Sequence, residues 1–219
     1  MNDDLLTEKE VVDYISNLME KTDVKYNEMM IEKLAKLVLL LKKWNSSLNL
    51  TSLKTVKDFV VLHVIDSAVI SPLLDKSWKN IADVGTGAGF PGLVLAVLNP
   101  DINFTLIDSV SKKLSFVRNA KISLKLDNVN IINDRCEHLK PEKKFDCIVS
   151  RAFAPLSKII EWCSHLLEDN GSFLCMKGNL EDKELKDVGN RAFVNDIIDL
   201  KVPSLEANRK AIFIKVNRN

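Results

Sequence analysis

Asp83-Val84-Gly85-Thr86-Gly87-Ala88-Gly89-Phe90-Pro91-Gly92 follows the apolar Ile81-Ala82 and precedes Leu93-Val94-Leu95-Ala96-Val97-Leu98. A buried strand that runs into closely spaced glycines and then into a proline-opened helix begins a βαβ unit of the nucleotide-binding type. Glycine allows the backbone to turn tightly there and to approach a ligand. Pro91 suits a first helical position, where a missing N–H is no loss. The glycine loop is therefore expected at the C-terminal edge of the first strand.

Two cofactor classes use this geometry. Gly87 to Gly92 matches the dinucleotide fingerprint G-x-G-x-x-G letter for letter, which is a weak signal alone. In a dinucleotide site, however, the first glycine follows the strand directly and the pyrophosphate rests on free N–H groups at the helix N-terminus. Here the turn has already begun at Gly85, and Pro91 removes one of those donors. Gly85, Gly87 and Gly89 read better as G-x-G-x-G, a loop that passes close to a ligand without a pyrophosphate. S-adenosyl-L-methionine is such a ligand; an NAD-dependent oxidoreductase is the alternative. Asp108 ends a second strand about twenty residues beyond the glycines, where an acid bonds ribose hydroxyls. The same residue type also opens helices.

The 219 residues suffice for one good core and a short extension. The expected division is an N-terminal helical extension over residues 1–72 and a cofactor-binding domain over residues 73–219. Hydrophobic content is 46% without a run near the length of a membrane span, and Met1-Asn2-Asp3-Asp4 lacks the basic and apolar regions of a signal peptide. A cytoplasmic protein without a membrane partner is expected. Cys136, Cys147, Cys163 and Cys175 are widely spaced, with no C-x-x-C pair and no histidine at metal spacing, so neither disulfides nor a metal is expected. A net charge of +1 decides nothing about partners, because a nucleic-acid binder needs a local basic face.

Thr7-Glu8-Lys9-Glu10 has capping-box spacing, and Val11, Ile15, Leu18 and Met19 recur at helical intervals, predicting a helix over 7–20. Met30, Leu34, Leu37, Leu41, Trp44 and Leu48 give a second helix one apolar stripe. The stripe reads as packing on neighbouring elements rather than as a dimer seam, so a monomer is expected. Asn45 to Thr51 is rich in short hydrogen-bonding side chains that cap helices and shape loops. A third helix, from near Thr55 to before Ser71-Pro72, carries His63 and Asp66 on one face. Such a pair suggests general-base chemistry, but no matching nucleophile is in view, and a structural hydrogen bond is the plainer reading.

Beyond the glycine loop the pattern alternates: helix 91–98, strand 103–107, helix 111–126, strand 129–133, strand 145–150, helix 155–168 capped by Asn170-Gly171, and strand 172–176. A charged helix and strands near 193–202 and at 211–216 complete the chain. This predicts an α/β fold with a parallel, doubly wound sheet whose ligands bind outside the C-terminal ends of the strands. Pro203 to Lys210 is too short for a helical crossover, so the last two strands should pair antiparallel. That feature is typical of methyltransferases and not of dinucleotide dehydrogenases.

With these residues placed, the chain resembles the bacterial glucose-inhibited division protein B family, the RsmG-type methyltransferases of small-subunit ribosomal RNA. The resemblance runs through Trp44-Asn45 with Leu48-Asn49-Leu50-Thr51, His63 with Asp66-Ser67, and Asp83 to Gly92. It continues through Leu106-Ile107-Asp108-Ser109 with Lys112-Lys113, and Phe145-Asp146 with Ser150-Arg151-Ala152-Phe153-Ala154. It implies a Rossmann-like methyltransferase fold with a mostly parallel seven-stranded sheet, S-adenosyl-L-methionine as cofactor, and methyl transfer to N7 of a guanine in 16S rRNA. Carried over by motif, it implies that Gly85 and Phe90 belong to the cofactor loop, that Cys136 and Glu137 flank the adenine, and that Arg151 lies beside the cofactor. Cys136 would act through its backbone, so it is no sign of thiol chemistry. Loops 45–51 and 63–67 become RNA-facing or cofactor-covering elements, with Asn49 a candidate on the substrate side. A non-catalytic, RNA-binding ribosome-assembly factor is the non-enzymatic alternative.

Methylation of an exocyclic base amine generally involves an acid or amide followed by prolines and an aromatic after the fourth strand, where this chain has Ser150-Arg151-Ala152-Phe153. A ring nitrogen already presents a lone pair, so positioning supplies much of the rate. Phe153 is a candidate base-stacking residue, against a plainer role as a core aromatic. Lys177, with Arg118, Lys121, Lys125, Lys140, Lys143 and Lys144, is a candidate phosphate contact. Arg151 is a cation too expensive to bury unpaired without a purpose.

Overall fold

The computed structural model describes residues 6–217. Met1 to Asp4, read above for the lack of a signal peptide, lies outside the described residues. The strands are β1 (Asn80–Val84), β2 (Asn103–Ile107), β3 (Val129–Ile132), β4 (Phe145–Arg151), β5 (Leu167–Lys177), β6 (Ala192–Asp199) and β7 (Lys210–Val216). They form a seven-stranded sheet in the order β3-β2-β1-β4-β5-β7-β6. β1 is central and parallel to both neighbours, with Ala82 opposite Thr105 on β2 and Ile148 on β4. Covered on both faces, it is the near-continuous apolar run that such a strand requires. β7 inserts antiparallel between β5 and β6, as the short 203–210 connection predicts.

In the N-terminal part, α1 (Glu8–Met19) opens with the capping box: Thr7 Oγ accepts from Glu10 N, and the Glu10 carboxylate accepts from Thr7 N at 2.8 Å. α2 (Glu28–Leu48) buries Leu34, Leu37 and Leu41 from the predicted stripe, while Met30, Trp44 and Leu48 are half-buried. α3 (Val56–Phe59) runs through a π-helical segment (Val60–Ile65) into α4 (Asp66–Ala68). The remaining helices are α5 (Gly92–Leu98), α6 (Ser111–Leu124), α7 (Leu156–Cys163) and α8 (Asp182–Lys186). Val11, Leu34 and Val60 of the N-terminal helices share one core with Leu93, Phe116 and Leu174. The extension thus completes one face of the sheet domain. No helix among the described residues is long and apolar enough to cross a membrane.

The chain departs from the sequence expectation at three places. Pro91 sits one position before α5, at its N-cap, and Gly92 is the first helical residue. The helix expected over 155–168 ends at Cys163, a single 3₁₀ turn covers Ser164–Leu166, and β5 has already begun at Leu167. Asn170-Gly171 is therefore no C-cap. It lies in a bulge of β5, where Phe145 pairs with Leu167 but Cys147 pairs with Ser172. The extra residues swing out of the ladder, leaving Asp169 and Asn170 exposed. The third departure is the π-helical middle of the predicted third helix, a form that often marks functional segments.

Candidate active site

The C-terminal ends of β1, β2, β3 and β4 converge on a cavity of about 340 Å³. Gly85, Asp108, Cys136, Glu137, Phe153 and Trp162 line it, with Lys113 at its rim. Gly85 has φ +70, and a Cβ there would lie 2.2 Å from Phe153 Cδ2, so only glycine lets the loop pass beneath that ring. Gly87, at φ +58, has room for a Cβ, which would come no closer than 3.9 Å to Lys113 Nζ, and donates its N–H to Asp108 Oδ2 at 2.8 Å. Asp108 Oδ1 accepts from Val110 N at 2.8 Å, so this acid pins the glycine loop and the entry to α6 together. Asp108 also lines the cavity, where its carboxylate can accept further hydrogen bonds.

Gly89 and Gly92 serve packing. A Cβ on Gly89 would meet Leu93 Cδ1 at 2.4 Å, and one on Gly92 would meet Asp83 Oδ2 at 2.7 Å. Their N–H groups are also taken, Gly89's by Thr86 O at 2.9 Å and Gly92's by Asp83 Oδ2 at 2.8 Å, so neither is free to hold a pyrophosphate, which counts against the literal dinucleotide reading. Asp83 is buried beneath the loop: Oδ2 accepts from Thr86 Oγ1 at 2.5 Å and from Gly92 N at 2.8 Å, while Oδ1 has no hydrogen-bond partner among the described residues. Burial raises its pKa to about 6. On the opposite side of the cavity, the Cys136 thiol donates to the Glu137 carboxylate at 3.1 Å, which holds that carboxyl below its ordinary range.

A second cavity, of about 370 Å³, meets the first at Ala152, which is lining to both and takes the left-handed φ of 51°. Leu62, His63, Asp66, Arg151, Lys177 and Arg209 line it. Asp66 is 4% exposed and accepts on both oxygens, from Arg151 Nη1 and from Arg209 Nε, each at 2.8 Å. Arg151 also donates to Leu62 O at 2.8 Å and reaches His63 Nδ1 at 3.1 Å. A guanidinium has no acceptor, so Nδ1 carries the lone pair and Nε2–H donates to Thr51 Oγ1 at 3.1 Å. The imidazole lies between the rings of Phe59 and Phe90, 4.6 Å from the latter. Burial and then the Arg151 charge lower its pKa to about 3.

This arrangement corrects the pairing expected for the third helix: His63 and Asp66 are joined through Arg151 and not to each other. Nor is Arg151 unpaired, since it binds three groups and lies over the Phe90 ring at 5.8 Å. Phe153 faces the first cavity, edge-on to Trp162 at 5.9 Å. Lys177 reaches the second cavity but is held by Glu184 at 2.6 Å and by Ala154 O at 3.0 Å. Asn49 is the exposed, left-handed cap of α2 (φ 48) and lines neither cavity. Asn45 organises that loop instead, accepting from Thr51 N at 2.9 Å and donating to Leu53 O at 3.0 Å. Arg209 is the residue that sequence reasoning missed. The available signal was topological, because an antiparallel β7 must start at the edge where its parallel neighbours end.

The first cavity fits S-adenosylmethionine on two observations: a backbone turn at Gly85 that lines the cavity and has no room for a side chain beneath Phe153, and a carboxylate, Asp108, at the end of β2. The fold matches a SAM-dependent methyltransferase from Aquifex aeolicus with a TM-score of 0.56 at 16% identity, covering 72% of this chain and 92% of that one. The fold is that of the Rossmann-like, S-adenosylmethionine-dependent methyltransferases. The model of the family rRNA small subunit methyltransferase G matches residues 30–213. Ribosomal RNA small subunit methyltransferase G of Actinobacillus succinogenes is 43% identical over 198 residues, covering 90% of this chain and 93% of that protein. The protein of the same name from Pasteurella multocida is 40% identical over 208 residues, covering 95% and 98%. The chain belongs to the rRNA small subunit methyltransferase G family.

Proposed function

We propose that this chain methylates N7 of a guanine in the 16S rRNA of the small ribosomal subunit, with Gly85, Gly87, Asp108, Cys136 and Glu137 holding S-adenosylmethionine and the second cavity receiving the base. When bound, the cofactor would supply a methyl group from its sulfonium: the free lone pair of a ring nitrogen would form the N–C bond as the C–S bond breaks, leaving a neutral thioether and a cationic purine, with no proton lost. Family membership supports the rRNA substrate. The choice of N7 over an exocyclic amine rests on the state of His63. Its Nδ1 is engaged by Arg151 and its Nε2 by Thr51, and its pKa of about 3 keeps it neutral; it is not arranged to take a proton from an amine.

The residues around the second cavity then position. Asp66 and the two guanidiniums carry a net positive charge, which suits an electron-rich purine edge with N7 and O6 acceptors. Phe90 and Phe59 fix the imidazole, the imidazole and Asp66 fix Arg151, and the backbone after β4 is thereby held where the two cavities meet. Lys177 and Glu184 fasten the following segment by binding Ala154 O and Leu156 N. Pre-set alignment of this kind is the contribution expected for a reaction without proton transfer. Labelled-methyl transfer to 16S rRNA and to assembled small subunits, with the modified base located by cleavage at 7-methylguanine, tests the reading. Label on an exocyclic amine, or on no RNA, would refute it.

A further inference from the structure

The charge of the α2–α6 flank is one-sided. From Lys33 to its end, α2 carries Lys33, Lys36, Lys42 and Lys43 and no acidic residue. From Ser111 to its left-handed cap, α6 carries Lys112, Lys113, Arg118, Lys121 and Lys125, again with no acid. The two helices pack together, with Trp44 edge-on to Phe116 at 5.9 Å. With the chain at net +1, these nine charges leave the remainder at −8. A basic run is ordinarily neutralised by neighbouring carboxylates, and α6 carries none of its own. None of the five α6 cations makes an ion pair among the described residues. Arg118 with Lys121, and Lys121 with Lys125, stand at helical spacings where like charges repel.

A helix that keeps uncompensated like charge along its exposed face is suited to an anion from outside. The face is also continuous with the site. Lys113 lines the cofactor cavity, and Lys125, about 18 Å further along the helix, borders a surface groove together with Lys33 and Lys36. Glu8 and Glu32 border that groove too, so the basic track is α6 rather than the groove.

We infer that α6 docks the phosphate backbone of the rRNA, gripping a segment next to the one that enters the second cavity. The inference rests on the reading of the chain as an rRNA methyltransferase. Neutralised phosphates release counterions, so log affinity falls against log salt with a slope of about −0.9 per contact for a duplex and about −0.7 for a single strand. The test compares Arg118→Gln/Lys121→Gln/Lys125→Gln with the charge-matched Lys140→Gln/Lys143→Gln/Lys144→Gln on the β3–β4 connection. The α6 triple should bind 16S rRNA more weakly, with a salt slope shallower by about 2 to 3, while S-adenosylmethionine affinity and the thermal midpoint stay at wild-type values. The control should keep the wild-type slope. An α6 triple with an unchanged slope, or a control that loses as much, overturns the docking surface while wild-type methylation of rRNA stands. A wild-type protein that methylates no RNA overturns the functional reading and this inference with it.

Discussion

Asp66→Asn keeps the shape of the side chain and removes its charge. In the native site each carboxylate oxygen accepts from a different guanidinium at 2.8 Å, and Arg151 and Arg209 are only 17% and 23% exposed. An amide has one acceptor oxygen, so one guanidinium is left facing an NH₂ group. A hydrogen bond to a charged group is worth about 1.5–3 kcal/mol, and stranding a buried charge brings the loss to about 3–5 kcal/mol. Because Arg209 still reaches some solvent, the expected value lies near the lower end, about 3 kcal/mol, or roughly 6–12 °C in Tm for a chain of this length. Urea denaturation near neutral pH reads the change. Arg209→Leu should destabilise alone, yet restore part of the loss when combined with Asp66→Asn, because it removes the stranded cation. A loss below about 1 kcal/mol, the range of a solvent-exposed pair, would refute the description of Asp66 as a buried clamp.

Gly85→Ala should abolish most cofactor binding in calorimetry, since the new methyl would stand 2.2 Å from Phe153; Gly87→Ala, whose nearest neighbour would be 3.9 Å away, should show only the mild strain of a positive φ. Equal effects of the two would argue against the loop assignment. For His63, a folded pKa of about 3 lies below the unfolded value of 6.5, so the unfolded state binds more protons between them. The His63 contribution should therefore be flat above about pH 6.5 and fall as pH drops below it, by up to about 1.4 kcal/mol per unit; Asp83, raised to about 6, acts in the opposite sense between about pH 4 and 6, so the His63 part is read as the slope that His63→Gln removes. Single-turnover methyl transfer should stay nearly flat from about pH 6 to 8; a tenfold rise per unit, abolished in His63→Ala with binding intact, would instead require a proton-abstracting base. Asn45→Ala strips two hydrogen bonds from the 49–53 loop and should destabilise by about 1–3 kcal/mol, with faster amide exchange at Thr51 as its local signature.

The sheet was legible because its information is local and periodic. Glycines at 85, 87 and 89, an acid after β2, and a short final connection each carry their own geometry. The end of α7 was not legible, because Asn170-Gly171 is as good a bulge as a cap and only the pairing of Leu167 with Phe145 decides between them. The first cavity could be read from strand ends in order. The second could not, since its clamp joins residues from three distant segments, and no spacing in the chain announces that Asp66 will meet both Arg151 and Arg209. Likewise, Gly89 belongs to the motif by position but to the core by contact, a distinction that depends on where Leu93 falls.

The clamp also sets a timetable for synthesis. Asp66 and Arg209 are separated by 143 positions, and at about 5–20 residues per second a ribosome takes roughly 7 to 30 s to travel between them. Throughout that interval the N-terminal helices exist without the strand that closes their site, and Asp66 has at most one of its two cations. The second cavity is therefore assembled only once Arg209 has emerged, so a nascent chain that has reached β4 but not β7 holds Asp66 and Arg151 in a site that still lacks one wall.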